Sequence, residues 1–337
     1  MGLASHFAWI APVAAGASAG LILLLKPLLA RYALAQPNAR SSHTTPTPQG
    51  GGIAVMVATV VAILLATAFA AAEPTEMAAL WPVAAAVALL AVIGALADIF
   101  QLSVVYRLPL QLVAVGIVLA LLPAEARVIP LLPLWLERAA LLIGGVYFVN
   151  LVNFMDGIDW MTVAEVVPVT AALALLTLTD ALAPREGVIA VALLGAVIGF
   201  APFNRPVAKL FLGDVGSLPI GLLLFWLLLQ LAMGGHVTAA LLLPLYYIAD
   251  ATVTLSRRVA KGEMITQAHR THFYQRATDV GFSVPAIVAR VFVVNVVLAA
   301  LAMVSASAVS AWVRLAALAL GATIVAGLLL HFTRPRR

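Results

Sequence analysis

Apolar residues run along this chain in long unbroken stretches, near 7–30, 51–72, 78–97, 108–122, 135–153, 160–179, 187–203, 215–233, 236–254, 284–306 and 310–332. A helix that crosses a bilayer needs about 20 apolar residues. The stretches therefore predict about eleven spanning helices. A closed barrel would show short segments of alternating polarity instead. The predicted fold class is all-α, a polytopic membrane bundle of about 10–11 helices forming one integral-membrane domain over 1–337. The first stretch continues into Lys26 and Arg31 without an obvious small-residue cleavage site, which predicts a retained helix and not a cleaved leader.

Polar residues interrupt this pattern unevenly. On one side of the predicted spans the connections are brief and plain: AAEPTE, PAEARVIPLLP, LAPREG and MGGH. The other side carries QPNARSSHTTPTPQGGG (36–52), ADIFQLSVVYR (97–107), NFMDGIDW (153–160), NRPVAKLFLGDVGS (204–217) and SRRVAKGEMITQAHRTHFYQRATD (256–279). Candidate active-site loops follow at 31–52, 97–107, 153–160, 204–217 and 255–282. A carboxylate at a bilayer centre costs roughly 2.5–3.5 kcal/mol on insertion scales. Asp156 and Asp159 are therefore expected in a break between spans, in a wet, protein-walled cleft. Glu165 lies deeper in the next span and is expected to face protein.

Composition agrees with a membrane protein: 64% of residues are hydrophobic and 10% charged, against about 25% charged in soluble domains. Cysteine is absent, which excludes disulfides and thiolate metal sites. Fourteen of the nineteen basic residues fall on the side of the elaborate loops and four on the other, with Arg290 inside a span. By the positive-inside rule the rich side is cytoplasmic. The amino terminus is then periplasmic and the carboxyl terminus cytoplasmic. The net charge of +5 mainly reports topology, and no block of like charge points to nucleic acid.

Asp98, Asp156, Asp159 and Asp214 all fall at ends of different spans on the loop-rich side. One aspartate at a helix end is ordinarily a cap. Four on one face, beside Gly-rich and His-containing loops, point to a site for a metal or an anion. Carboxylates gathered from separate loops suit magnesium, which binds through one or two carboxylates plus substrate phosphates. Three glycines, Gly50 to Gly52, open a predicted helix, where free N–H groups suit phosphate; a simple turn between spans explains them equally well. His269, Arg270 and His272 lie in one loop and offer charge or a proton to a phosphoryl group. HRTH lacks the HExxH pattern of zinc proteases. Acidic groups for a metal and basic groups for phosphate at a membrane surface point to phosphoryl transfer.

The same motifs, RSSHTTPTPQGGG (40–52), NFMDGID (153–159), FLGDVGS (211–217) and HRTHFYQR (269–276), resemble the polyprenyl-phosphate N-acetylhexosamine-1-phosphate transferases of the glycosyltransferase family 4 type. That family includes the first membrane transferase of peptidoglycan synthesis. The likeness spans roughly 36–280, and HRTHFYQR looks most like the branch that initiates O-antigen or capsule glycans. The resemblance implies transfer of sugar-1-phosphate from a UDP-activated N-acetylated sugar to undecaprenyl phosphate, in a bacterial inner membrane, with the site facing the cytoplasm. It implies magnesium, with manganese as a substitute, held chiefly by Asp214 with Asp98. Phe211 would stack on uracil, and Asn153, Asp156 and Asp159 would hold the nucleotide. Thr47, Gly50 and Gly51 would contact phosphates, and His272 would bind or protonate phosphate near the leaving group. Asn204, Lys209, His269, Arg270 and Arg276 complete the expected substrate contacts, and a homodimer is compatible with the lipid-facing surface.

Two departures stand out. Family members carry adjacent aspartates near the end of the third helix, whereas here Ala97 precedes Asp98. Either this branch dispenses with the first carboxylate or Ala97 is an engineered substitution. Phe273, Tyr274 and Gln275 follow His272 where further histidines are usual. Two rivals remain. An ion-coupled secondary transporter also keeps intramembrane carboxylates, though near the midplane and often with repeats. A CDP-alcohol phosphotransferase would need a clustered Asp-Gly pattern that is absent.

Overall fold

The computed structural model describes residues 3–35, 45–70, 80–100, 102–264 and 269–335. Residues 36–44 of the first elaborate loop, with its RSSH segment, lie outside these, as do Gln101 and residues 265–268.

The described residues form thirteen helices: α1 (Leu3–Tyr32), α2 (Gly51–Ala70), α3 (Trp81–Phe100), α4 (Val104–Ala120), α5 (Leu134–Met155), α6 (Met161–Thr177), α7 (Pro184–Phe200), α8 (Asp214–Met233), α9 (Val237–Leu242), α10 (Leu245–Ala260), α11 (Phe273–Asp279), α12 (Val284–Ser307) and α13 (Ala311–His331). A two-residue antiparallel ribbon, β1 (Leu34–Ala35) with β2 (Thr47–Pro48), joins α1 to α2. The all-α bundle is as expected from the sequence. Seven of these helices are long and apolar enough to cross a membrane, with shorter apolar helices at α4 and α6. The predicted span 236–254 is not continuous: Pro244 separates α9 from α10, because proline has no N–H to donate and its ring clashes with the preceding turn. Helix α10 then runs on to Ala260, carrying Arg257 and Arg258 inside a helix and not in a loop.

The bundle is built around α8. Between Val215 and Met233 this helix has no charged side chain and is buried almost throughout. A helix apolar all round belongs in a core. It packs on α2, α3, α5 and α9. Its amino-terminal turn is wedged tightly: a Cβ on Gly52 would meet the Gly216 Cα at 2.2 Å, and one on Gly94 would meet the Asp214 carbonyl oxygen at 2.3 Å. Small residues at these crossings thus let α2 and α3 bring their loop-side ends against the start of α8.

Glu165 faces protein, as its sequence position suggests. It is 1% exposed, and the Asn295 Nδ2 of α12 donates to its Oε2 at 2.6 Å and to the Ala164 carbonyl at 3.0 Å. The contact pins α6 on α12.

Candidate active site

The NFMDGIDW stretch ends one helix and begins the next. Helix α5 stops at Met155, Asp156 caps it, and Trp160 takes a left-handed conformation (φ 62°) before α6 begins. Asp156 and Asp159 therefore sit in a turn between two apolar helices. The Asp159 Oδ2 accepts the Ala208 N–H at 3.0 Å. The Asp156 Oδ1 accepts the hydroxyl of Thr162.

FLGDVGS makes the opposite transition, from extended chain into α8. Gly213 has φ +79°, and a Cβ there would lie 2.4 Å from the Asp98 Oδ2. Glycine thus serves both the backbone conformation and the approach of α3. Through that gap Asp98 accepts the N–H of Asp214 on Oδ1 (2.9 Å) and of Val215 on Oδ2 (3.1 Å). A carboxylate from one helix caps the positive end of another. Asp214 in turn pairs with the Arg107 guanidinium through Oδ2, and its Oδ1 accepts Asn153 Nδ2 at 2.7 Å. Asn153 Nδ2 also donates to Ser217 Oγ at 2.8 Å.

Four elements therefore deliver their acids to one place. Burial pushes the Asp156 carboxyl up to about 7, and the nearby carboxylates of Asp214, Asp98 and Asp159 push the same way against the Thr162 hydrogen bond. Asp98 and Asp214 meet through hydrogen bonds across the start of α8, and Asp156 feels the charge of both.

Among the described residues no group of three or more His, Cys, Asp or Glu side chains is placed to hold a metal ion by itself. The donor set instead fits an open magnesium site, in which one or two carboxylates share the ion with substrate phosphates. Each carboxylate oxygen has two lone pairs, so the caps and pairs around Asp98 and Asp214 leave oxygen capacity. The Arg107 guanidinium offsets part of the Asp214 charge.

Some expected contacts are engaged elsewhere. The Gly51 and Gly52 N–H groups donate to the carbonyls of Phe211 (2.9 Å) and Leu212 (2.8 Å), and the Phe211 N–H donates to Pro48 (2.8 Å). The Gly51 amide thus ties the start of α2 to the segment before α8. Thr47 is buried in the ribbon, its hydroxyl donating to the Thr45 carbonyl at 3.2 Å. Gly50 keeps a left-handed φ of +105° at the turn. Asn204 is also a latch and not an open contact, because its Oδ1 accepts the Trp160 N–H (2.7 Å) while its Nδ2 donates to the Leu210 carbonyl (3.0 Å). Lys209 and Arg276 are exposed, and Arg270 pairs with Asp279 at 3.0 Å.

The histidine loop docks onto this site from α11. Tyr274 donates its hydroxyl to the Phe154 carbonyl at 2.9 Å, and burial raises its phenol well above the usual value. His272 is 2% exposed, with its ring 4.9 Å from His269, 5.8 Å from Tyr274 and 6.4 Å from Phe154. Its Nδ1 lies 3.2 Å from the Asp250 Oδ1. Asp250 also accepts the N–H groups of Phe273 (2.9 Å) and Tyr274 (3.2 Å) and the hydroxyls of Tyr246 and Thr254. Sequence reasoning missed Asp250, although a lone carboxylate inside an apolar run was signal enough. It also missed Arg107 as a partner of Asp214, since the residue registered only as one of many basic loop positions. Ala97 is 7% exposed, so the α3 surface beside Asp98 is apolar and packed.

Glycosyl transferase family 4 matches residues 80–232, which contain all four aspartates. A decaprenyl-phosphate N-acetylglucosaminephosphotransferase of Mycobacterium tuberculosis is 29% identical over 286 residues, covering 74% of this chain and 70% of the relative. A Bacillus subtilis protein named probable undecaprenyl-phosphate N-acetylglucosaminyl 1-phosphate transferase is 25% identical, covering 78% and 75%. A phospho-N-acetylmuramoyl-pentapeptide-transferase of Streptococcus agalactiae is 30% identical over 200 residues, covering 53% and 57%.

Proposed function

We propose, from the match of residues 80–232 to glycosyl transferase family 4 and the likeness to a decaprenyl-phosphate N-acetylglucosaminephosphotransferase, that the chain transfers an N-acetylated sugar-1-phosphate from a UDP-sugar to polyprenyl phosphate. The observation that carries this reading is the meeting of Asp98, Asp156, Asp159 and Asp214 at the loop-side ends of α3, α5, α6 and α8. A transporter would hold such charges near the bilayer midplane.

In the reaction an oxygen of the lipid phosphate bonds to the sugar-bearing phosphorus of the donor. The bridging P–O bond breaks, and its electron pair leaves with UMP. Both reactants are anions; Asp214 and Asp98 would hold a divalent cation, which would supply the charge that offsets their repulsion. The chain's own residues position the partners. Asn153 fixes the Asp214 carboxylate, and Asp98 orients the first turn of α8. Arg107 stands ready to exchange Asp214 for a substrate phosphate, an exchange suited to its fork of donors. His272, held by Asp250, addresses phosphate on the leaving side, and exposed Lys209 and Arg276 add positive charge at the rim. A polyprenyl phosphate is already largely ionised near neutral pH, its second pKa being about 6, so the reaction needs no dedicated base at residue 97.

The loop-rich side faces the cytoplasm of a bacterial inner membrane in this reading, where UDP-sugars are made, and the product opens a cell-surface glycan such as an O-antigen. Purified protein with radiolabelled UDP-N-acetylglucosamine, magnesium and a short polyprenyl phosphate tests it. Label entering the organic phase is expected. Uptake into sealed vesicles without lipid-linked product would show a carrier instead.

A further inference from the structure

Arg290 is the one basic residue that the sequence places inside a span, and an arginine there is costly unless something meets its charge. It sits in the second turn of α12. Its Nη1 donates to the Ala286 carbonyl at 2.7 Å, and its guanidinium carbon stands 5.4 Å from the centre of the Phe282 ring. His331, the last residue of α13, packs edge-on to the same ring at 5.1 Å. Two basic side chains thus share one buried aromatic platform, and neither forms an ion pair among the described residues. They stand at one end of a groove of about 510 Å³ lined by Ala289, Val293, Val294, Ile324, Gly327 and Leu328. Helix α12 starts just after α11, so this end lies on the same side of the bundle as the aspartates. The groove shares no lining residue with them.

We propose that this groove binds one anionic glycerophospholipid of that leaflet, with an acyl chain along Val293, Ile324 and Gly327 and the phosphate between Arg290 and His331. The charge pattern supports the assignment: a basic mouth without a carboxylate, opening on an apolar trough, matches a lipid that is anionic at its head and apolar below. Basic pockets between membrane helices on the cytoplasmic side are suited to such headgroups. Gly327 keeps the trough open, since a side chain there would meet no atom within 4 Å.

Native mass spectrometry and thermal unfolding of the full chain in phosphatidylcholine nanodiscs, with and without phosphatidylglycerol, test the proposal. One retained phosphatidylglycerol and a raised Tm are expected, with no effect of inorganic phosphate alone. Arg290→Ala should weaken retention roughly fivefold, the equivalent of about 1 kcal/mol per basic residue near anionic lipid, and Arg290→Lys should keep most of it. Gly327→Leu should abolish retention while leaving the Tm in phosphatidylcholine unchanged or higher, because leucine favours helix over glycine. Equal retention of phosphatidylcholine, undiminished retention by Arg290→Ala or Gly327→Leu, or displacement of the lipid by a short polyprenyl phosphate at stoichiometric amounts would overturn it.

Discussion

Acidic side chains close both ends of this bundle, in opposite manners. On the plain-loop side Glu137 is fully buried, and its carboxylate takes the Arg127 guanidinium together with the N–H groups of Val128 (2.6 Å) and Ile129 (3.1 Å). Arg138 donates there to the Pro123 and Ala126 carbonyls. That charge is balanced and its hydrogen bonding is filled. On the loop-rich side four aspartates converge with Arg107 as the guanidinium paired to Asp214, and that pair is 19% and 24% exposed. A carboxylate filled in this way can only hold structure. An open network with surplus negative charge can accept a ligand, and it does so at the expense of stability in the free protein.

The difference can be broken from either side. The largest effect is expected from Asp214→Asn. It should lower turnover by roughly three orders of magnitude, because it removes a charge clamp worth several kcal/mol, and it should leave the Tm in detergent within a few degrees. Turnover close to the parent value would remove Asp214 from the cation site. Glu137→Gln should behave in reverse, with turnover per folded molecule intact and stability reduced by roughly 3–5 kcal/mol, the cost of breaking a buried pair. A parallel loss of activity and stability in both variants would show that the two ends do not differ in kind.

Asp250→Ala should come next, since it strands the two backbone N–H groups that open α11 as well as His272. Each buried donor left unpaired costs roughly 1–3 kcal/mol. Limited proteolysis near residue 270 should speed up, and turnover should fall more than it does in Asp250→Asn, which keeps one acceptor oxygen.

The smallest effect is a pH dependence. With its carboxyl near 7 in the free protein, above the ordinary aspartate value, Asp156 favours folding while protonated and loses that contribution as pH rises through about 7. Without magnesium the Tm should therefore fall between pH 6 and pH 8. A bound cation competes with the proton, so magnesium should raise the Tm more at pH 8 than at pH 6. A magnesium shift independent of pH would place the ion away from Asp156.

Much of this was legible in the residues. Continuous apolar runs require helices wherever a bilayer is the solvent, and the lopsided polar loops marked the functional side. Asp156 and Asp159 were readable as a break between spans, and Glu165 as facing protein, because a charge deep in lipid is costly. The partner of each group was not legible. Gly51, Thr47 and Asn204 carry residue types that suit a substrate, yet backbone consumes their polar groups: Thr47 bonds to Thr45 two residues back, whereas Gly51 meets Phe211 and Asn204 meets Trp160, both remote in sequence. Asp98 reads as the end of one helix, and only packing makes it the cap of another 116 positions away. Sequence alone determined that apolar helices build the bundle and which of its connections carry the acids, since burial energies act on each segment independently. Tertiary structure decided which acids meet and which are already satisfied, because a hydrogen bond depends on the ångström placement of two chains that no local pattern encodes.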